Sequence, residues 1–350
     1  MSTWQKNIRV VEPYVPGEQP KLQNIIKLNT NENPYPPAPA VVEAAQNIDM
    51  NRLKLYPDPT ASRLVEALAK FHGVKPTQIF PGVGSDDVLS IAFLTFFNSD
   101  KPVLFPDITY SFYKVWAAVY RIPYETPALD ENFNIVAEDY YRENGGVVIA
   151  NPNAPTAIYR NLDFIRDILD HNQDSIVIVD EAYIDFGGVS ALTLLDEYEN
   201  LVIVRTYSKS KSMAGIRIGY AIASETLIKA MNDVKYSINS YTMNMPSIEL
   251  GAVAIENNDY YDEVAQKVIA TRERTVKRLA ELGFECLDSK ANFVFARHKS
   301  IAGKTLFEEL KREGVFVRHF DDERINDFLR ITIGTDEQME RLFELLEKYR

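Results

Sequence analysis

A single cysteine, Cys286, among 350 residues leaves no intrachain disulfide to staple the chain. The four histidines, His72, His171, His298 and His319, lack the paired spacing of a metal site. Chemistry by thiol or metal is therefore not expected. Basic residues are in the minority too: 38 Lys and Arg against 50 Asp and Glu give a net charge of −12. That field repels a nucleic-acid backbone or an anionic membrane, so any anion the protein handles must be held by local groups. Long apolar runs are also missing. Stretches such as "IAFLTFF" (91–97) fall far short of a bilayer span, and "MSTWQKNIRVVEPYVPG" has no apolar core of signal-peptide length. The expectation is a cytoplasmic protein that engages neither nucleic acid nor membrane.

What is present can build a large core, with 46% of residues hydrophobic. Residues 11–39 hold seven of the eighteen prolines, which favours extended chain over helix. Residues 1–40 therefore read as an arm, one that docks, because Tyr14, Leu22, Ile25, Ile26, Leu28 and Tyr35 need cover. From Thr60 to Gly73, Leu64, Leu68 and Phe71 share a helical face, with threonine as candidate N-cap and glycine just past the end. A second helix opens at "GSDDVLSIAFLTFF", where Ser85 can cap and Asp86 and Asp87 suit the positive first turn.

The apolar runs "VLF", "VVIA", "SIVIV" and "LVIV" then recur between longer polar segments, the pattern of buried strands joined by crossovers. This predicts an α/β domain over 41–250, a mostly parallel sheet sandwiched by helices. After residue 250 the texture changes to a long helix, short strands and a closing helix in which Thr335 and Gln338 have capping-box spacing. A smaller α+β C-terminal domain is expected over 251–350. Ligands in open α/β sheets sit beyond the carboxyl ends of the strands, which here read "FPDITY", "ANPNAPTA", "VDEAY" and "VRTYSK".

Those ends carry the chemistry. Taken singly, Asp180 reads as a turn or capping aspartate, Lys209 as a solvated lysine and Arg217 as a surface ion-pair partner. Together they suit a carbonyl cofactor: a lysine to bind it covalently, an acid to keep a pyridine nitrogen protonated, an arginine to fork onto a phosphate. A helix beginning at Ser85 offers amides and dipole to the same anion. A nucleotide P-loop is excluded, because no GxxxxGK[ST] occurs and "GVGSDD" lacks the lysine.

The segment "YSKSKSMAGIRIGY" resembles the lysine segment of aspartate-aminotransferase-fold enzymes that use pyridoxal 5′-phosphate (PLP), fold type I. The likeness runs nearly end to end through "PYVPGEQ", "NENPYP", "LYPDP", "GVGSDDVL", "PNAPT", "DEAYIDF" and "LRITIGT", and is greatest to the histidinol-phosphate aminotransferases. The resemblance implies that Lys209 forms the Schiff base, with Lys211 the alternative. It implies that Asp180 meets the ring nitrogen, that Tyr110 stacks on the ring and that Tyr183 donates to its phenolic oxygen. Ser85, Asp86, Thr206, Ser208 and Arg217 would hold the phosphate, and Tyr56 would reach the neighbouring site of a homodimer. Tyr14, Arg318 and Arg330 would bind the substrate anion. The implied substrates are small molecules, histidinol phosphate and glutamate or 2-oxoglutarate. Alternatives on the same scaffold are an aromatic amino-acid aminotransferase and a phosphothreonine-type decarboxylase. A ligand sensor in a transcription regulator would need a DNA-binding domain that the first forty residues are too short to supply. One motif departs from the pattern. The usual N-P-T-G has Ala154 for its asparagine and Ala157 for its glycine, so Asn153 is the candidate to take over at the phenolic oxygen.

Overall fold

The computed structural model describes residues 3–15, 17–20 and 24–350. Its central sheet has seven strands, in the order Ile79–Gly82, Gly219–Ala223, Leu201–Thr206, Val177–Asp180, Gly146–Ala150, Val103–Leu104 and Tyr124–Glu125. Gly219–Ala223 runs antiparallel to both of its neighbours, and the other pairings are parallel. The inner strands are apolar up to their carboxyl ends, where Asp180, Arg205 and Thr206 stand, because both faces are covered. Ile178, Val202 and Val204 pack with Phe80, Phe93 and Tyr113 on one side. Val179, Leu201 and Ile203 pack with Leu64, Leu68 and Ile168 on the other. Successive side chains leave a strand on opposite faces, so Thr206 follows the first set and Arg205 the second.

A four-stranded antiparallel sheet, in the order Arg318–His319, Phe328–Thr332, Phe293–His298 and Phe284–Cys286, forms the C-terminal part. Its core includes Val294, Ile331, Leu306 and Leu342. The helix Asp336–Leu346 opens on the expected capping box of Thr335 and Gln338. The N-terminal segment is bound to this part of the molecule: Ile26–Lys27 pairs in parallel with Val315–Phe316, and Leu28 is buried in the same core. Tyr14 stacks on Phe112 with ring centroids 4.3 Å apart. Leu22 lies outside the described residues.

Two helix starts differ from expectation. The helix Ser62–His72 is not capped by Thr60. Instead the Asp58 carboxylate accepts from the backbone N–H of both Thr60 and Ser62, at 2.9 and 2.8 Å, and Phe71 is exposed. In Ser85–Phe96 the N-cap position belongs to Gly84, and Ser85 is the first helical residue. No helix among the described residues is long and apolar enough to cross a membrane, and no group of metal-ligating side chains occurs among them.

Candidate active site

Asp180, Thr206, Ser208, Lys209, Ser85 and Arg217 converge on one cavity of about 220 Å³. It lies beyond the carboxyl ends of neighbouring parallel strands, where Asp180 is level with Val204 and Ala150. Burial pushes the Asp180 carboxyl up to about 6, against the downward pull of a 2.8 Å hydrogen bond from the Tyr113 hydroxyl and a 3.2 Å bond from the Ala182 N–H. Lys209 Nζ donates to the Thr30 carbonyl at 3.3 Å and lies 5.6 Å from the Tyr183 ring centroid. Lys211 points elsewhere: its Nζ is buried, 2.6 Å from Asn258 Oδ1 and 3.8 Å from Asp185. Of the two lysines, only Lys209 opens into the cavity.

In the same cavity, the helix Ser85–Phe96 begins beside Arg217. Arg217 Nη1 donates to Ser208 Oγ at 3.2 Å and Nη2 lies 3.3 Å from Asp86 Oδ2, while Asp86 Oδ1 accepts from Tyr110 at 2.8 Å. The close approach requires glycine at 84, where φ is +85° and a Cβ would meet Arg217 Nη2 at 2.4 Å. Arg217 itself holds φ +57°, an uncommon conformation for a non-glycine residue. A helix start, two hydroxyls and a guanidinium fit a phosphate, and the buried Asp180 carboxylate fits a protonated ring nitrogen. The residues therefore suit PLP.

A second cavity of about 150 Å³ adjoins the first and shares Thr30, Tyr110, Ala154, Tyr183 and Lys209 with it. Tyr14, Arg318 and Arg330 line it. The two arginines are cross-strand partners. Arg330 Nη2 donates to the Asn29 carbonyl at 2.9 Å, whereas its Nε is sealed from solvent with no partner. Burial, and then the Arg318 charge, lower the Arg330 pKa from its ordinary value. Neither arginine makes an ion pair among the described residues.

Two expected residues stand apart. Asn153 is 3% exposed and lines neither cavity. Its Oδ1 accepts from Thr109 at 2.7 Å and its Nδ2 donates to the Ile108 carbonyl and Thr156 Oγ1, both at 3.0 Å. Its amide is thus engaged in closing the loop and reaches neither cavity. Ala154 itself lines both cavities. Tyr56 is 82% exposed and also lines neither.

Residues 30–33, "TNEN", to which the sequence reading assigned no role, surround Lys209 and Tyr183. Thr30 meets Lys209 Nζ, Asn31 meets Tyr183, Glu32 lines the cavity, and Asn33 Nδ2 reaches the Lys209 carbonyl at 3.2 Å. A polar run directly after the apolar "IIKL" was the available signal. Tyr113, one helical turn beyond Tyr110, was missed as the partner of Asp180.

A sheet of this topology, with lysine, acid and phosphate cup at its strand ends, defines a PLP-type transaminase scaffold. The chain belongs to the class I and II aminotransferases, whose family model matches residues 23–346. It is 49% identical to histidinol-phosphate aminotransferase of Clostridium beijerinckii over 98% of this chain and 96% of that one. It is 50% identical to the Acinetobacter baumannii protein of the same name, over 99% and 97%. The fold matches the solved histidinol-phosphate aminotransferase of Sinorhizobium meliloti in complex with PLP, with a TM-score of 0.85, 23% identity and coverage of 93% and 90%.

Proposed function

We propose that this aminotransferase uses PLP to transfer the amino group of L-histidinol phosphate to 2-oxoglutarate, giving imidazole-acetol phosphate and L-glutamate, a step of histidine biosynthesis. The observation that carries this reading is Arg330, whose sealed, unpartnered Nε sits beside Arg318 in a cavity continuous with that of Lys209. Two guanidiniums without a carboxylate call for an incoming anion. Histidinol phosphate brings a phosphate and glutamate a carboxylate, so one fork can serve both in turn. The name shared by close relatives supports the same substrates.

When bound, PLP supplies a carbonyl that captures a primary amine and a ring that withdraws electrons from the substrate's Cα. Lys209 Nζ, the lysine that opens into the cavity, would hold that carbonyl and would serve as the base for the proton at the substrate's Cα. Asp180, itself held by Tyr113, would keep the ring nitrogen protonated. Tyr183 would donate to the phenolic oxygen, and Tyr110 would cover the ring. Arg217, Ser208, Thr206 and the amides of Ser85 and Asp86 would hold the cofactor phosphate. Tyr14, Arg318 and Arg330 orient the substrate anion.

The working unit is a homodimer. Tyr56, Leu55, Met50, Ile238 and Tyr241 are exposed, with the rings of Tyr56 and Tyr241 4.7 Å apart, an apolar surface suited to a second copy. Tyr56 then completes the partner's phosphate cup.

The test is borohydride reduction of the PLP-loaded protein, which is expected to fix the cofactor's mass on the peptide containing Lys209. Label on Lys211, or none, refutes the site. Turnover with histidinol phosphate, phenylalanine, tyrosine and threonine phosphate as separate donors then decides the substrate, with histidinol phosphate expected to give the highest kcat/KM.

A further inference from the structure

Tyr183 lines both cavities, and its ring packs edge-on against Phe293 with centroids 5.1 Å apart. Behind its hydroxyl stands Asn31, 1% exposed and held at φ +58°. The surroundings of Asn31 fix which way its amide points. Its backbone N–H donates to Thr332 Oγ1 at 3.0 Å, which leaves the Thr332 proton for Asn31 Oδ1, also 3.0 Å away. With Oδ1 occupied as an acceptor there, Nδ2 is the atom that meets the Tyr183 hydroxyl, at 2.9 Å. An amide nitrogen only donates. The Tyr183 oxygen is thus the acceptor, and its own proton remains for the cavity. The reverse amide orientation would draw that proton out of the cavity. The Asn31 carbonyl accepts from Asn292 Nδ2 at 2.9 Å, so every polar group of Asn31 is engaged and the residue cannot readily turn.

This polarity matters because the loop position that could offer a second donor is Ala154, which lines both cavities and has no side-chain donor. We propose that Asn31 is a positioning residue of the transaminase site: by donating to Tyr183 it aims the phenol's single proton at the phenolic oxygen of PLP, a donation that Ala154 cannot share. The inference rests on the PLP reading above. It also ties the proton donor to the anion site, since Thr332 lies two residues from Arg330 on the strand Phe328–Thr332.

The test is a pH titration of the absorbance of bound PLP in the wild type and in Tyr183→Phe, Asn31→Asp and Thr332→Val. Asn31→Asp is nearly isosteric but replaces the donor by an acceptor, turning the Tyr183 proton away from the cavity. A donor at the phenolic oxygen draws charge from it; without one, the neighbouring titrating proton is held more tightly and the midpoint rises. The expected rise is about one to two pH units, equal to that of Tyr183→Phe. Thr332→Val frees the amide to turn and is expected to give a smaller rise. If Asn31→Asp titrates like the wild type while Tyr183→Phe is shifted, the inference is overturned and the PLP reading stands. An unshifted Tyr183→Phe overturns it as well. If the wild type takes up no PLP, the cofactor reading falls and takes the inference with it. Should Asn31→Asp fail to fold, an unshifted midpoint in Thr332→Val is the overturning result.

Discussion

Two groups of partly or fully buried charge lie near the loop that carries Lys209, and they are built in opposite ways. Beneath it, Glu181, Asp185, Arg205 and Lys211 form a quartet whose charges cancel. Arg205 donates to Asp185 Oδ1 at 2.5 Å, with its Nε 3.6 Å from Glu181, and Lys211 lies 3.8 Å from Asp185. Glu181 is completed by Ser190 Oγ and the Ala191 N–H, both at 2.6 Å. Burial disfavours the Asp185 charge, yet Arg205 and Lys211 overcome it and hold the carboxyl well below its usual range. Above the loop, Arg318 and Arg330 carry the same sign, lack carboxylate partners and leave Nε of Arg330 unsatisfied. A neutral cluster fixes a chain path, here through Ser210 and Lys211, the two residues after Lys209, which both meet Asp185. A cationic cluster with an open valence is a receptacle. The alternation of Arg205 and Thr206 along one strand puts the quartet on one face of the sheet and the Lys209 cavity on the other.

The sharpest way to break this comparison is Arg330→Lys. An ammonium cannot reproduce the bidentate fork, and loss of a hydrogen-bonded charge contact of this kind costs roughly 2 to 5 kcal/mol, about thirty- to several-thousand-fold. Both half-reactions are expected to fall when single-turnover rates are measured with histidinol phosphate and with glutamate. Loss with glutamate alone would mean that the two anions use different sites and that Arg330 is not a shared receptacle.

The quartet predicts a stability effect instead. His72 borders it through a 2.9 Å contact with the Tyr220 hydroxyl, and burial, followed by the Arg205 charge, lowers its pKa to about 3. An unfolded histidine titrates near ~6.5. Between those values the unfolded chain binds the extra proton, so stability contributed by neutral His72 is present above ~6.5 and is lost as the pH falls, by about 2 kcal/mol at pH ~5. Asp180 works the other way, because its raised pKa makes the folded state take up a proton first on acidification. The His72 contribution is therefore read as the difference between wild type and His72→Gln in urea melts at neutral and mildly acid pH. Parallel pH slopes for the two proteins would show that the lower face of the sheet is not sealed as described.

Local signals in the sequence carried the fold far: continuous apolar runs mark strands covered on both faces, and the Thr335 capping box marks a helix start. The motif residues Lys209, Asp180 and Arg217 were legible by type and spacing, and they line one cavity. What escaped was set by long-range contacts. Asn31 acquires its role from Tyr183, 152 positions away, and from Thr332, 301 away. Asn153 was the nearest asparagine in the chain to the vacant motif position, but nearness in sequence did not reveal that Thr109 and Ile108 already hold its amide. Asp58 displaced Thr60 at a helix start because one carboxylate can serve two backbone amides.

The smallest effect is expected at Arg318, and it tests whether the receptacle has one centre or two. Arg318 faces Arg330 across the strand pair, with its guanidinium 5.6 Å from the Phe320 ring centroid. Arg330 packs over both Phe293, at 5.4 Å, and Phe320, at 5.8 Å, and has the sealed Nε. The desolvated guanidinium gains most from an incoming anion, since water competes least there. Arg318→Lys retains a positive charge at a half-buried position and forfeits chiefly the ring contact, worth about 1 kcal/mol or less at exposed sites. A rise in KM of roughly fivefold, with kcat nearly unchanged, is therefore expected. If Arg318→Lys instead matched Arg330→Lys in both half-reactions, the two guanidiniums would be acting as a single bidentate unit, and the ranking by desolvation would be wrong.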